Sequence, residues 1–332
     1  MTQPTTLADF LQDAGIPAAL REGLLSVADA CRDIADRVER APLTGHLGAL
    51  QQSNVQGETQ KALDVIANDI FLDVCGASSA FAALASEEME QLWAREGRSD
   101  GPYLLVFDPL DGSSNIEISA PVGTIFSILP RLDDRIGGTV LEAEFLQPGS
   151  RQAAAGYALY GAQTLFVFSV GSGVAGFTLD RADGSWRLTH PDMRVPPLSA
   201  EYAINAAHRR HWDPGILSYV EACEAGASGP LGRDRNMRWS GAMVADVHRI
   251  LVRGGVFLYP ADRRPGQAAG KLRLLYECAP AGWLIEQAGG RASDSRTAIT
   301  AIRPGTLHQR VPIALGSADE IATFETYAGA ED

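Results

Sequence analysis

The chain has 332 residues, 45% of them hydrophobic and 21% charged, which is enough for two domains, or one large one, around a buried core. Its 28 Lys and Arg against 41 Asp and Glu leave a net charge of −13, so nucleic acid is not an expected partner, and an anionic substrate would need local cations. No stretch of 18 apolar residues offers a membrane span, and "MTQPTTLADFLQDAGIP" carries no basic-then-apolar leader, so a cytoplasmic protein is expected.

Taken in order, residues 20–40 place Leu24, Val27, Ala28, Cys31, Ile34, Ala35 and Val38 at helical spacing. A second amphipathic helix runs through "TQKALDVIANDIFLDVC", with Leu63, Ile66, Ile70 and Val74 on its apolar face and Glu58 and Asp64 flanking its start. The apolar run "AFAALAS" then ends in Glu87 and Glu88. Another, Tyr103 to Phe107, ends in "DPLDGSSN". From Gly123 to about Leu188, short apolar runs separated by glycine predict antiparallel strands, with a hairpin turn at Asp183–Gly184. "HPDMRVPPLSAE" reads as a linker, dividing the chain into 1–195 and 196–332. Beyond it come a helix in "GAMVADVHRILVRGG", a strand "VFLYP", a loop "ADRRPGQAAG", a strand from Leu272 to Leu275, and a helix with Pro280 in its first turn and Gly289–Gly290 at its end. Helices set against sheets in both halves predict an α/β (α+β) fold of layered helices and sheets in two domains. The cysteines at 31, 75, 223 and 278 lack CxxC spacing and read as reduced thiols.

The acids gather at strand ends, where such folds place chemistry. At about 4 Å and an effective dielectric of 20, two carboxylates repel by about 4 kcal/mol, so Asp108 and Asp111 call for a cation or a proton between them. Hard oxygen donors without His or Cys suit Mg²⁺ or Mn²⁺. Small Gly112, Ser113 and Ser114 behind them let backbone N–H groups approach a phosphate.

Together, "NVQGETQKALDVIAND", "ASEE", "FDPLDGSSNIE", "GYALYG", "SGAMVADVHRILVRGGVFLYPA", "GKLRLLYEC" and "EQAGG" span most of the chain, and in them it resembles the class I fructose-1,6-bisphosphatases of the sugar-phosphatase superfamily. The resemblance implies Mg²⁺-dependent hydrolysis of fructose 1,6-bisphosphate to fructose 6-phosphate, with two or three cations per subunit that Mn²⁺ can replace. It implies Glu87, Asp108, Asp111, Glu277 and the carbonyl of Leu110 as metal ligands, Asp64 and Glu88 as the pair that activates water, and Glu58 as a loop acid closing over the metals. Gly112, Ser113 and Ser114 fall on the cradle of the reacting phosphate; Asn205, Arg238, Tyr259 and Lys271 on the far phosphate, with Arg238 reaching across from a neighbouring subunit; Met243 and Arg273 on the sugar pocket. His208 and Trp239 stand where the family has tyrosines, which leaves sedoheptulose 1,7-bisphosphate open as an alternative or second substrate. An inositol-phosphate phosphatase and a non-catalytic sugar-phosphate sensor fit less well. A homotetramer is implied, in gluconeogenesis or in the Calvin cycle of carbon fixation. His248 and Cys278 read as packing residues.

AMP-controlled relatives hold the nucleotide's phosphate with a Gly/Thr-rich N-terminal turn and a Lys-Tyr pair; here the turn is replaced by "IPAALREGLL", and Pro102 precedes Tyr103. Proline offers no side-chain donor and no N–H. No cysteine lies between Cys75 and Cys223 to form the dithiol pair of light-regulated relatives. Weak or absent inhibition by AMP and no dithiol switch are therefore expected. Half-inhibition at micromolar AMP, or reversible loss of activity in oxidising buffer, would refute this.

Overall fold

The structure, a computed structural model, describes residues 4–45, 49–53, 59–95, 99–132 and 135–329. Helices α1 (Leu7–Asp13) and α2 (Ala18–Thr44) are followed by a two-stranded ribbon, β1 (Ala49–Ser53) and β2 (Thr59–Lys61), and by α3 (Ala62–Ala77). Seven strands then form one sheet in sequential order: β3 (Phe81–Ser86), β4 (Tyr103–Asp111), β5 (Val122–Pro130), β6 (Ala154–Tyr160), β7 (Thr164–Ser169), β8 (Ala175–Asp180) and β9 (Ser185–His190). Only β3 and β4 are parallel in it. The rest comprises β10 (Glu201–Ile204), α4 (Pro214–Glu224), β11 (Asn236–Met237), α5 (Met243–Arg253), β12 (Val256–Tyr259), α6 (Ala279–Gln287), β13 (Arg291–Ser293), β14 (Ile313–Gly316) and α7 (Ala318–Ala328). Its five strands make a mixed sheet in the order β11-β10-β12-β14-β13.

Alternation along the strands sorts the side chains into layers, because successive residues face opposite sides of a sheet. Phe126 and Phe166 pack with Leu24, Cys31 and Phe71 beneath α1–α3, whereas Ile125 and Val167 face a middle core with Val244, Ile250, Leu284 and Phe257. Leu258, next to Phe257, joins Tyr219 and Phe324 of α4 and α7 on the far side. The result is five layers: helices, the seven-stranded sheet, α5 and α6, the five-stranded sheet, helices. All four cysteines are free and buried. No helix of the described residues is long and apolar enough to cross a membrane.

The antiparallel run and the hairpin at Asp183–Gly184 form as read, with Gly184 at φ +73°. Two readings change. The fully buried face of α3 is Leu63, Ala67, Phe71 and Cys75, while Ile66, Ile70 and Val74 are only partly buried, because it is the first face that packs between α2 and the sheet. The linker between β9 and β10 is packed against the fold, with Met193 and Val195 buried in the middle core. The strand expected from Leu272 to Leu275 is absent. A single bridge joins Arg273 to Arg310, and Leu274–Cys278 then winds as a π-helical turn in which the Cys278 N–H donates to the Arg273 carbonyl at 3.0 Å. A run apolar on every side carries no alternation, so strand and helix could not be told apart.

His248 is a packing residue of α5, its Nδ1 2.8 Å from the Tyr157 hydroxyl. Burial, reinforced by His190, lowers its pKa from 6.5 to about 4. Between those values the unfolded chain binds the extra proton, so stability falls as pH falls. Between pH 7 and 5 this site should account for about 2 kcal/mol of lost stability. His248→Asn, which keeps a polar partner for Tyr157 but cannot titrate, should therefore flatten the decline of Tm over that range; parallel curves for parent and variant would refute the assignment.

Candidate active site

The parallel pair β3 and β4 ends side by side, and this brings two acidic stretches together. Glu87 follows β3, its N–H donating to the Phe107 carbonyl at 3.1 Å. In β4 the ladder is interrupted between Asp108 and Asp111, so the Pro109–Leu110 step bulges. Thr124 secures that bulge by donating to the Pro109 carbonyl at 2.8 Å. The π-turn delivers Glu277 from the other side; such turns recur at functional sites. Carboxylate oxygens of Glu87, Asp108 and Glu277 lie within 4.8 Å of one another, and all three residues are buried.

The surroundings respond to this crowding. Burial first, then the charges of Glu87, Asp111 and Glu277, push the pKa of Asp108 well above the usual carboxylate range. Glu277 is raised in the same way, by burial and then Glu87, with Arg273 opposing. Asp111 is pushed up to about 7, chiefly by burial, against the Val244 N–H that donates to its Oδ2 at 2.8 Å. The Leu110 N–H donates to Asp108 at 3.0 Å and the Arg273 N–H to Glu277 at 2.6 Å. Four buried carboxylates with this few donors fit a bound divalent cation, and their all-oxygen set fits Mg²⁺ or Mn²⁺ rather than zinc.

Behind the acids, Gly112 takes φ +75°, and a short 3₁₀ turn, Ser113–Ile118, follows. A Cβ at Gly112 would lie 2.4 Å from that of Ala242, so only glycine fits this turn. Asn115 locks it across the fold, its Nδ2 donating to the carbonyls of Pro121 and Ser240, both at 3.0 Å.

A cavity of about 620 Å³ opens from these groups. Its acidic end is lined by Asp64, Glu87, Glu88, Asp108, Leu110, Asp111 and Glu277, with Gly112, Ser113 and Ser114 beside them. Asn205, Trp239, Met243, Tyr259, Lys271 and Arg273 also line it. Asn205 caps the 3₁₀ turn Ala206–His211, its Oδ1 accepting from Ala207 N at 3.2 Å. The Trp239 ring stacks on Phe257 at 5.8 Å, its plane tilted only 6° away.

Of the predicted residues, two, His208 and Arg273, have neighbours that the sequence did not announce. Glu58 lies outside the described residues. Arg238 does not line the cavity of its own chain: its side chain is 54% exposed, 3.6 Å from Glu201. His208 sits behind Asn205 and Tyr259, against Arg264. Arg273, expected against a sugar, is 3% exposed and paired with Glu87, because the crowded acids attract the nearest cation. Sequence reasoning missed Thr124 and Asn115, which hold the bulge and the cradle, and Gly241 and Ala242, which line the cavity. The "WSGAM" stretch ahead of α5 was the available signal.

A buried carboxylate cluster beside a small-residue cradle, on a layered α/β fold, is the equipment of a phosphatase. Family models for the fructose-1-6-bisphosphatase N-terminal domain and C-terminal domain match residues 7–191 and 195–329. The holo form of Leishmania major fructose-1,6-bisphosphatase superposes with a TM-score of 0.94 at 35% identity, over 99% of this chain and 100% of that one. The apo form of the same enzyme gives 0.86 at 33% identity, over 98% and 99%. The chain belongs to the fructose-1,6-bisphosphatase family and is a phosphatase.

If crowding dominates the acidic end, Asp111→Asn should stabilise the metal-free protein by on the order of 1 kcal/mol or more, since an amide oxygen still accepts from Val244 while one charge is gone. Calorimetry with chelator present, and then with Mg²⁺ added, checks this. The parent should gain stability from Mg²⁺ and the variant much less. A variant that melts below the parent without metal would contradict it.

Proposed function

We propose that the chain hydrolyses fructose 1,6-bisphosphate at C1, giving fructose 6-phosphate and phosphate, with Mg²⁺ as its cofactor. The observation that carries this reading is one cavity lined by both the buried acids and Asn205, Tyr259 and Lys271, so that a ligand with two phosphates finds partners for each. The N–H groups of Gly112, Ser113 and Ser114 hold the oxygens of the reacting phosphate. Asp64 and Glu88 orient the attacking water and take its proton as its oxygen bonds to phosphorus and the phosphorus–oxygen bond to C1 breaks. Glu87, Asp108, Asp111, Glu277 and the Leu110 carbonyl would hold divalent cations, which supply Lewis-acid charge against the phosphoryl and leaving oxygens. Asn205, Tyr259 and Lys271 hold the far phosphate by charge-assisted and neutral hydrogen bonds; Asn205 has its NH₂ for this, since its Oδ1 is used in capping. Arg238, exposed and outside its own cavity, completes the neighbouring subunit's pocket in a homotetramer.

Phosphate release from fructose 1,6-bisphosphate should depend on Mg²⁺ and stop with chelator; no turnover with metal would sink the reading. Sedoheptulose 1,7-bisphosphate in the same assay shows whether the sugar may be longer. Lys271→Ala should raise KM roughly 10- to 150-fold with kcat little changed, as for a contact equally strong before and during reaction. Arg238→Ala should do likewise, and light scattering should find an oligomer; a fully active monomer would exclude the shared arginine.

A further inference from the structure

Glu201 is a buried charge that the acidic end of the cavity does not use. It opens β10 and is 4% exposed, a place where an acid is tolerated only when paired. Three arginines surround it. Arg249 donates through Nη1 to its Oε2 at 3.3 Å, and Arg253 donates through Nη2 to its Oε1. Arg238 stands at the same oxygen, its Nε 3.6 Å away.

The carboxylate is a fixed point. Its strand is hydrogen-bonded on both sides, to β11 and to β12. Arg249, which holds Oε2, is itself held: its Nε and Nη2 donate to Asp246 Oδ1, each at 3.3 Å, and Nη2 reaches the Val256 carbonyl at 3.4 Å. Asp246 in turn accepts from the Ser240 hydroxyl at 2.6 Å. Glu201 therefore stays where it is, whichever way the exposed arginines move.

Arg238 is fastened at two points and open at a third. Its backbone N–H donates to the carbonyl of Tyr202, the residue after Glu201, at 2.8 Å. Its Nε faces Glu201. Among the described residues, no hydrogen bond engages its Nη1 or Nη2, and the side chain is 54% exposed. It follows β11, the edge strand of the five-stranded sheet, so nothing of that sheet lies beyond it. Three arginines against Glu201 and Asp246 leave this outward corner cationic on a protein of net charge −13.

We propose that Glu201 is a positioning residue: it holds the Nε end of Arg238 so that the Nη end projects, already oriented, toward the far phosphate in the neighbouring subunit's cavity. The proposal rests on the shared-arginine reading above. A carboxylate beside an arginine can also compete with phosphate for it, and here the distances decide. At 3.6 Å the Arg238 contact is too long for a hydrogen bond, and Arg253 already donates to that oxygen, so Glu201 orients Arg238 without consuming a donor. A long side chain fixed in advance has less freedom to lose on binding, an advantage of roughly 2- to 10-fold in affinity.

The test is a double-mutant cycle in the full-length protein with saturating Mg²⁺, read as KM for fructose 1,6-bisphosphate. Glu201→Gln keeps an oxygen for Arg249 and Arg253 but removes the charge that orients Arg238. It should raise KM roughly 2- to 10-fold with kcat retained. In an Arg238→Ala background the same substitution should change KM no further, because the side chain it positions is gone. Arg238→Lys leaves Glu201 untouched and decides the matter if Glu201→Gln does not fold: an ammonium drawn to Glu201 has no second arm, so its KM should approach that of Arg238→Ala. An equal rise in KM in both backgrounds would give Glu201 a structural role only. An unchanged KM in Glu201→Gln would leave it no role, a lowered one would make it a competitor for Arg238, and a lysine as good as arginine would dispense with the anchor; each of these overturns the proposal and leaves the bisphosphate reading intact. An Arg238→Ala protein with the parent's KM would overturn the shared arginine and this proposal together.

Discussion

Mutual repulsion among Glu87, Asp108, Asp111 and Glu277 is the constraint around which this molecule is arranged. Such acids could not be gathered on a pliable surface; their charges would push the segments apart. Here each sits on backbone that is tied down elsewhere. Glu87 follows a strand paired along its length with β4, Asp108 and Asp111 flank a bulge secured by Thr124, and Glu277 rides in a π-turn ahead of α6. Three backbone N–H groups and the Arg273 guanidinium then take part of the charge. Compensation is incomplete, as the raised pKa values of Asp108, Asp111 and Glu277 record, and an incompletely compensated carboxylate cluster is what a divalent cation requires.

The same arrangement explains why the two sheets are not independent in function. The cradle belongs to the first half of the chain, yet Ala242, from the second, stands against Gly112, and the Ser240 carbonyl accepts from Asn115. Asp111 accepts from the first turn of α5, where the unsatisfied N–H groups of a helix favour a negative charge. A middle core shared by both sheets holds these contacts in register.

Much of this was legible in the sequence because the signals were local. "DPLDGSSN" joins a strand end, a proline-fixed bulge and a glycine turn within eight residues, and "SEE" marks the neighbouring strand end. The antiparallel run could be read from glycine spacing alone. What escaped depends on distance. Whether "LRLLYEC" is strand or helix is decided by the Gln309–Val311 segment it meets, 35 or so residues onward, and not by its own apolar pattern. Nothing near Arg273 in the chain reveals that Glu87 stands beside it. Arg264 passed as one of two loop arginines, since only the fold sets it against His208 while Arg263 turns to Asp213. Resemblance transfers positions that a family shares, and these side-chain partnerships are set by the particular neighbours of this chain.

The run from Trp239 to Tyr259 touches the cavity at both of its ends. Trp239 and Met243 line it before and at the start of α5; the helix then leads away through the middle core, and β12 returns to the cavity with Phe257 and Tyr259. Gly254 and Gly255 make the reversal, at φ +72° and +109°, and Ser317 fastens it by accepting from Gly255 N at 3.0 Å while donating to the Pro196 carbonyl. A buried helix and a central strand, joined by a turn that is itself bolted to the fold, do not lengthen or shorten. They act as a gauge: the separation between Asp111's anchorage and the Tyr259 phenol is a fixed dimension of the protein, and a ligand of another length must tilt within the cavity, because the cavity will not stretch to meet it.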